Sequence, residues 1–334
     1  MPSEPVRVVL VGCGPTALTA LDSLAERLRV VGLVRDHDPD DPVCRRAAEL
    51  GVPVSADVTL RGIERLIDRL GPDCVVVSSY NRVLPTRLVG KTRFVNVHYA
   101  LLPRYRGRAN VNWAVINGER ETGISIHVLA PGLDAGNVLF QQAVPIGPAD
   151  TVTDLYERLN ALQREHLGAV VLRHLAGDDG RPQDEAAASY GCTRLPRDGE
   201  IDWSWPTRRV FDMVRALTPP YPGAFTYFAG EVLRVWRAEP VADPPRYDGR
   251  VPGRVVRVSK ADGWVEVLTG DGVLRVHEVQ AAAGPRRPAA EVLDSVKHTL
   301  GLHPTELLDR IRVLESALAD LRRQNGQLLP AGEE

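Results

Sequence analysis

The chain has 334 residues, of which 44% are apolar and 25% are charged, a composition typical of a folded globular protein and unlike that of a disordered one. This length exceeds that of one ordinary compact core, so we expect two domains. Its 43 acidic and 41 basic residues give a net charge of −2, which disfavours a protein whose main partner is a nucleic-acid backbone.

The sequence carries no pattern typical of export, membrane insertion or metal binding. No apolar run approaches the roughly 20 residues that span a bilayer. The N-terminal MPSEPVR lacks the apolar segment of a secretory signal. The cysteines are scattered, without zinc-type spacing, and are expected to be buried thiols. We therefore expect a cytoplasmic protein with no metal site.

Strand and helix patterns alternate in the first half of the chain. Val6–Val11 is a continuous apolar run of the kind found in strands buried on both faces, and leucines at helical spacing follow it. The further predicted elements are strands at Val30–Val34, Cys74–Val77 and Phe94–His98 and a helix around Ile63–Leu70. This alternation predicts an α/β fold with a Rossmann-like parallel sheet.

Two more predicted strands and a long helix complete the first domain, which we place at residues 1–200. Gly123–Leu129 and Val138–Val144 alternate enough to be strands. The segment Asp150–Leu175 is an amphipathic pattern, and Thr151 with Asp154 can form a capping box at its start.

The composition changes at about residue 200, and short β patterns then alternate with turns. A predicted helix leads into the rigid turn PPYPG at Pro219–Gly223, and five short strand patterns follow up to about Val279. These patterns predict a small β-barrel, OB-like in type, over residues 201–290.

The last segment, residues 304–328, has a heptad pattern. Leucines recur at the d positions of the heptad from Leu307 to Leu328, and the a positions are Ile311, Leu318 and Asn325. A single Asn at an a position sets register and strand number in two-stranded coiled coils. We therefore expect an amphipathic helix that either pairs with a second chain, giving a homodimer, or packs on the preceding domain.

The first strand ends in a glycine-rich turn that permits two interpretations. Gly12, Gly14 and Ala17 fit a dinucleotide fingerprint, and Arg35 after the second strand could hold a 2′-phosphate, as in an NAD(P)-dependent oxidoreductase. We prefer the alternative, a tight strand-to-helix turn that needs glycine for steric reasons.

The candidate catalytic residues are Asn96, His98 and Asp134. Side chains alternate along a strand, so Asn96 and His98 share a face, and Asp134 follows in the loop GLDAGN. An amide can donate to an oxyanion, an imidazole can exchange a proton near neutral pH, and a carboxylate can orient that imidazole. This set suits acyl transfer to an amine.

These residues lie in a longer string that resembles a known family. N-x-H-x-x-L-L-P-x-Y-R-G, W-A-x-x-N-G-E, T-G-I-S-I-H and L-D-A-G-N occur in order, and together they resemble the formyltransferases that use N10-formyltetrahydrofolate. The resemblance implies that Asn96 and a protonated His98 stabilise the oxyanion. It also implies that Asp134 keeps His98 charged and helps to move the amine's proton. His127, in the same string, is expected to be structural.

The resemblance also implies the binding residues. The segment SSYNRVLP resembles the part of the family that cradles the pterin ring. The implied folate-binding residues are Tyr80, Asn81, Val83, Leu84, Pro85 and Gly132. The implied substrate-binding residues are Arg106, Arg108, Asn112 and Tyr221, because arginines suit a phosphorylated substrate and Tyr221 could stack on a base.

Several amines remain open as the formyl acceptor. The segment YRGRANVNW most resembles the enzymes that formylate an amino-deoxysugar linked to a nucleotide, so this small-molecule substrate is our main expectation. The alternatives are methionyl-tRNA, which the balanced charge disfavours, and a secondary-metabolite amine such as hydroxyornithine. A dimeric scaffold with an inactive core is a further, non-enzymatic alternative.

Overall fold

The computed structural model describes residues 4–14, 16–36, 38, 40–282, 284–302 and 304–327, and of residues 306 and 324–327 it describes the backbone. The chain divides into two compact units, Met1–Leu195 and Pro196–Glu334. The division after Leu195 lies inside the segment 1–200 that the sequence predicts as the first domain.

The first unit is built on strands and helices that alternate along the chain. Its strands are β1 (Arg7–Val11), β2 (Arg29–Val34), β3 (Val54–Ser55), β4 (Cys74–Ser78), β5 (Arg93–His98), β6 (Arg106–Gly107), β7 (Glu121–Val128), β8 (Val138–Pro145) and β9 (Tyr190–Gly191). Its α-helices are α1 (Ala17–Ala25), α2 (Pro42–Glu49), α3 (Leu60–Leu70), α4 (Thr86–Val89), α5 (Asn110–Ile116) and α6 (Val152–Leu175).

Seven of these strands form one sheet in the order β3-β2-β1-β4-β5-β7-β8. The five strands from β3 to β5 are parallel, as the sequence predicts, whereas β7 and β8 are antiparallel to their neighbours. The predicted parallel sheet is therefore a mixed sheet. Strand β8 is antiparallel to β7 because residues 129–137 join the two strands without the crossover that parallel strands need, and β7 is antiparallel to β5 because the segment between them returns to the sheet in the opposite direction.

The core of the first unit lies on the faces of the parallel strands. On one face α3 packs Ile63, Leu66 and Ile67 against valines of β1, β2 and β4. Helix α6 begins at the predicted capping box, in which Thr151 Oγ1 accepts from the Asp154 N–H and the Asp154 carboxylate accepts from the Thr151 N–H. Its apolar face is fully buried at Leu155, Leu159 and Leu167. These packed layers hold β5 and β7, the two strands that carry the candidate site.

The described residues of the second unit form an antiparallel sheet, helix α7 (Thr207–Ala216) and two further α-helices. Its strands are β10 (Ala224–Phe228), β11 (Glu231–Pro240), β12 (Val255–Ser259), β13 (Trp264–Leu268), β14 (Val273–Ala281) and β15 (Arg286–Pro288), and its remaining helices are α8 (Ala289–Val292) and α9 (Pro304–Gln327). The strands pair in the order β10-β11-β14-β13-β12, and β15 pairs with β14. The sequence prediction of a small β-rich domain followed by a C-terminal helix is confirmed.

Helix α9 differs from the other long helix because its apolar side chains are not covered. Its exposed large apolar residues are Leu307, Leu308, Ile311, Val313, Leu314, Leu318 and Leu321. In the part of the chain that the structure describes, no helix is both long enough and apolar enough to cross a bilayer.

Candidate active site

Four polar side chains share one face of the β5–β7 pair. The antiparallel register places Asn96 opposite His127 and His98 opposite Ser125. Residues directly opposite each other on neighbouring strands point to the same face of the sheet. His98, Ser125 and His127 are buried, so this polar cluster is shielded from bulk water.

Asp134 enters this cluster from the loop between β7 and β8. Its backbone is left-handed, with φ of 51°, a conformation that Asp tolerates better than most residues. Its carboxylate accepts a hydrogen bond from the Gly107 N–H at 2.8 Å and one from Asn96 Nδ2 at 3.3 Å. The two predicted strand residues and the predicted loop residue therefore meet.

The Asp134 carboxylate lies between two imidazoles. Its Oδ2 is 3.5 Å from His98 Nδ1, and its Oδ1 is 3.5 Å from His127 Nε2. His127 Nδ1 donates to the Val128 carbonyl at 2.9 Å, which leaves Nε2 to accept from Asn96 Nδ2 at 3.1 Å. Both N–H groups of the Asn96 amide are thus directed into the cluster.

The other nitrogen of His98 is fixed by a backbone carbonyl and an amide. Nε2 donates to the Tyr105 carbonyl at 2.8 Å. The Asn110 side chain is oriented with its oxygen toward Nε2 at 3.1 Å, because this orientation satisfies both ends of the amide. Neutral His98 therefore carries its proton on Nε2 and presents an unprotonated Nδ1 toward Asp134.

Burial and charge act in opposite directions on this pair. Burial lowers the pKa of His98 below its ordinary value, although the Asp134 carboxylate raises it. Burial opposes ionisation of Asp134, but the neighbouring imidazoles and the Gly107 N–H hold the pKa of the carboxyl below its usual range. Burial and the Asp134 charge therefore compete over the protonation of His98.

Two side chains that contact the candidate catalytic residues, His127 and Asn110, lie outside the candidate set predicted from the sequence. His127 was expected to be structural, yet it contacts Asn96 and lies beside Asp134. Strand periodicity alone could have placed His127 on the same face as Ser125. That His127 lies opposite Asn96 follows only from the β5–β7 register. Asn110 contacts His98 from the start of α5, and no local sequence pattern predicts this contact.

The predicted folate segment is an open loop between β4 and α4. Asn81 and Val83 are exposed, and Leu84 and Pro85 are partly buried. Tyr80 anchors the loop, since its hydroxyl donates to the Val58 carbonyl at 2.8 Å. The backbone groups of residues 81–84 make no hydrogen bond with the described part of the chain, so they fit the recognition of a flat heterocycle by backbone. Gly132 has φ of 102° in the loop before Asp134.

The predicted substrate-binding residues occupy different environments. Arg106 is buried, and its guanidinium is bound to Glu185 at 2.6 and 2.8 Å and to Gln183 at 2.9 Å. This guanidinium is committed to side chains of its own chain, which argues against a direct contact with a substrate phosphate. Its partners are distant in sequence, which is why the burial was not foreseen.

The other three substrate candidates are Arg108, Asn112 and Tyr221. Arg108 is exposed, whereas Asn112 is fully buried on α5. Tyr221 belongs to the second unit, where its N–H donates to the Thr218 carbonyl in the turn at Pro219–Gly223. Of this group, Arg108 has the exposure that a contact with a charged substrate needs.

The glycine-rich turn after β1 has a steric explanation. A Cβ at Gly12 would lie 2.6 Å from the Ala17 Cβ, and one at Gly14 would lie 2.3 Å from the Ser79 Cβ. Arg35 donates to the Gly12 and Gly14 carbonyls at 2.9 and 3.2 Å and pairs with Asp41 at 2.5 Å. The Arg35 guanidinium therefore binds carbonyl groups of the turn and a nearby carboxylate. This arrangement favours the tight-turn interpretation over the nicotinamide one.

Comparison with known proteins extends over both units. Residues 26–171 match the family model described as "Formyl transferase", and residues 195–297 match that of its C-terminal domain. The chain is 33% identical over 303 residues to the methionyl-tRNA formyltransferase of Geobacter sulfurreducens, covering 86% of this chain and 93% of that protein. This chain belongs to the formyltransferase family.

Other similar proteins agree with this assignment. The formyltransferase is 34% identical over 321 residues to the methionyl-tRNA formyltransferase of Citrifermentans bemidjiense, with 91% and 97% of the two chains covered. A solved N-formyltransferase from Helicobacter canadensis, in complex with folinic acid and dTDP-3-aminofucose, shares the fold with a TM-score of 0.60 at 16% identity. The match covers 83% of this chain and 100% of that one.

Family membership confirms the predicted reaction class. The chain is a formyltransferase that takes its formyl group from N10-formyltetrahydrofolate, as the resemblance implied. Within the described residues, no group of three or more His, Cys, Asp or Glu side chains has the arrangement of a metal site.

Proposed function

We propose that Asn96, His98 and Asp134 carry out formyl transfer to an amine. The observation that supports this proposal is the meeting of an amide, an imidazole and a carboxylate at one buried strand face, with His98 Nδ1 3.5 Å from Asp134 Oδ2. The folate supplies an activated formyl carbon. The amine nitrogen bonds to that carbon, the bond from the carbon to the folate nitrogen breaks, and the amine's proton ends on that nitrogen.

His98 moves the proton in this scheme. Its Nδ1 is unprotonated because Nε2 carries the proton that is donated to Tyr105. Nδ1 therefore accepts the proton of the attacking amine and later releases it to the leaving nitrogen. The imidazolium formed in between lies beside the Asp134 carboxylate, which stabilises its charge when that charge develops.

Asn96 supplies a hydrogen-bond donor for the formyl oxygen. One of its N–H groups is held by His127, and the other makes a long hydrogen bond of 3.3 Å to Asp134. We infer that this second N–H turns to the formyl oxygen as negative charge develops there. Because that hydrogen bond is long, little is lost when the amide turns.

Single substitutions test these roles. Loss of an oxyanion donor costs on the order of 10²–10³ in rate, so Asn96→Ala should lower single-turnover formylation by at least that factor. His98→Ala and Asp134→Asn should lower it similarly. Asn137→Ala is the matched control, because Asn137 lies in the same loop as Asp134 and donates to the Asp179 carbonyl outside the site. Undiminished turnover in Asp134→Asn would disprove the scheme.

We propose methionyl-tRNA as the amine substrate. The relatives that bear this name match the chain over 86% and 91% of its length at 33% and 34% identity. Such a substrate presents the primary amine of an aminoacyl ester to His98. The N-formyltransferase of Helicobacter canadensis, solved with dTDP-3-aminofucose, is by contrast 16% identical to this chain.

A second candidate is a nucleotide-linked amino-deoxysugar. It is favoured by the segment YRGRANVNW, in which Arg108 is exposed, and by the net charge of −2, which provides little attraction for a tRNA backbone. The two candidates are separated by assaying methionyl-tRNA and several amino-deoxysugar nucleotides with 10-formyltetrahydrofolate. Formylation of a sugar nucleotide without formylation of tRNA would overturn the first proposal and leave the reaction unchanged.

We also propose that α9 pairs with α9 of a second copy as a parallel coiled coil. Its a and d side chains Ile311, Leu314, Leu318 and Leu321 are 48–60% exposed in the single chain, so they lack cover there. In a parallel pair, Arg310 at a g position lies opposite Glu315 at the following e position of the second helix. The charges are complementary, and an Asn at a, as at position 325, is typical of two-stranded pairs.

Light scattering on the full chain tests the dimer. The a and d side chains of α9 form the seam of the proposed coiled coil. The double variant Leu314→Glu with Leu321→Glu places charges in this seam, so the mass measured by light scattering should fall from that of a dimer to that of one chain. Val313→Glu is the matched control, because Val313 is 67% exposed but lies at a c position outside the seam. A wild-type mass equal to one chain at micromolar concentration would refute the pairing.

A further inference from the structure

A network of three side chains connects the Asp134 loop to a buried arginine. Gln183 Nε2 donates to the carbonyl oxygens of Asp134 and Gly136, both at 2.7 Å. Gln183 Oε1 accepts from Arg106 Nη2 at 2.9 Å and from Arg106 Nε at 3.3 Å. Both donors and both acceptors of the amide are therefore used.

The orientation of the Gln183 amide is determined by its neighbours. Arginine has only donors, so the oxygen of the amide must face Arg106 and the nitrogen must face the two carbonyl groups. Arg106 is itself fixed, since its guanidinium makes two parallel hydrogen bonds to Glu185 at 2.6 and 2.8 Å. The amide nitrogen is thus presented to the loop in a single orientation.

The loop needs such a support because its backbone is constrained at two positions. Asp134 has a left-handed backbone, with φ of 51°. At Gly136 a Cβ would lie 1.8 Å from the Val128 carbonyl oxygen, so the chain passes directly over β7. One amide nitrogen holds the carbonyl groups of both residues and so fixes the direction in which the Asp134 side chain leaves the loop.

The same arginine segment reaches the Asp134 side chain by a second route. The N–H of Gly107, the residue after Arg106, donates to Asp134 Oδ2 at 2.8 Å. The strand β6, which comprises these two residues, is held by its pairing with β9. Contacts that lead to this one short strand therefore position both the carboxylate and the backbone of Asp134.

We propose that Gln183 is a positioning residue that places the Asp134 carboxylate between His98 and His127, and that Arg106 with Glu185 sets its orientation. Gln183 touches no reacting atom, and its effect is exerted through Asp134. The inference rests on the proposed role of Asp134. It reassigns Arg106 from substrate binding to the support of the site.

Gln183→Glu separates the two functions of the amide. Glutamate keeps the acceptor for Arg106 and nearly the same shape, but it places an oxygen against the two loop carbonyl groups and removes the donor. A misplacement of about 1 Å at a catalytic group costs on the order of 10²-fold in rate. We expect kcat to fall by roughly 10–10²-fold with a much smaller change in KM for 10-formyltetrahydrofolate.

The pH profile provides a readout that a merely structural role would not change. A nearby Asp134 carboxylate raises the pKa of His98, so a displaced carboxylate should lower the apparent pKa on the acidic limb of kcat. We expect that limb to move to lower pH in Gln183→Met, which removes the amide donor without adding a charge near His98. It should stay in place in the control Asn137→Ala, which loses an equivalent amide donor to the Asp179 carbonyl.

Asp134→Asn, measured in parallel, distinguishes the failure of this inference from the failure of the proposed function. If Asp134→Asn keeps full turnover, the catalytic proposal fails. If it is inactive while Gln183→Glu matches the wild type in kcat and Gln183→Met matches it in pH profile, the positioning role alone is overturned. Should Gln183→Glu fold poorly in thermal melts, Gln183→Met, which removes both amide functions without a charge, replaces it with the same expectation for kcat.

Discussion

Helices α6 and α9 each contain 24 residues, yet they use their apolar side chains in opposite ways. Leu155, Leu159 and Leu167 of α6 are fully buried in the first unit. The leucines of α9 at positions 314, 318 and 321 are 49–60% exposed. A helix of this length gains most of its stability from the packing of its apolar face, which α6 obtains within one chain and α9 would obtain in the proposed pair.

Truncation of one leucine in each helix is the strongest test of this difference. Leu159→Ala leaves a cavity in a filled core and should lower the free energy of unfolding by about 2–5 kcal/mol. Leu318→Ala should change it by no more than about 0.5 kcal/mol at a concentration where the chain is a monomer. Urea denaturation of both variants measures the two values. Equal losses would mean that α9 is packed within the single chain.

The pH dependence of the reaction tests the buried His98 of the first unit. In the proposed scheme neutral His98 accepts the amine's proton, and burial lowers the pKa of His98 below its ordinary value. We therefore expect single-turnover formylation to stay constant from neutral pH to below about pH 6.5, and then to fall about tenfold per pH unit as His98 becomes protonated. A rate that rises on acidification would show that the protonated form is the active one.

The capping box of α6 gives an effect of intermediate size. Thr151→Ala removes a side chain that caps the helix and should lower the free energy of unfolding by about 1 kcal/mol. Thermal melts of this variant report the loss. Glu157→Ala, a substitution at an exposed position of α6 beyond the cap, is the comparison, and an equal loss there would argue that the cap contributes nothing specific.

The smallest expected effect concerns the charges beside the proposed seam of α9. Arg310→Glu places like charges opposite Glu315 of the second copy and should weaken the dimer by about 0.2–1 kcal/mol for each pair. The double variant Arg310→Glu with Glu315→Arg should restore the affinity. Sedimentation at low salt measures both. Weakening that the double variant does not reverse would count against a parallel pair.

The sequence predicts the elements well because apolar spacing and capping are local properties. The buried strands, the start of α6 at Thr151 and the long terminal helix all follow from such patterns. The direction of β7 relative to β5 does not, since it depends on how the intervening segment returns to the sheet. The two-residue strand β3 is too short to carry a pattern.

The site could be predicted only in part, for the same physical reason. Asn96 and His98 share a face by strand periodicity, and the structure brings Asp134 to them. The positions of His127 and Arg106 depend on contacts between residues far apart in sequence. His127 meets Asn96 through strand register, and Arg106 meets Glu185 across 79 positions. No local pattern contains such information.

The left-handed backbone at Asp134 restricts which residues can vary there. Glycine, asparagine and aspartate adopt this conformation at low cost, and most other residues do not. Glutamate would retain the charge but would strain the main chain and extend one methylene too far toward the imidazoles. A saturation library at this position should therefore yield well-folded chains chiefly with three residue types, and aspartate alone among them can carry the negative charge.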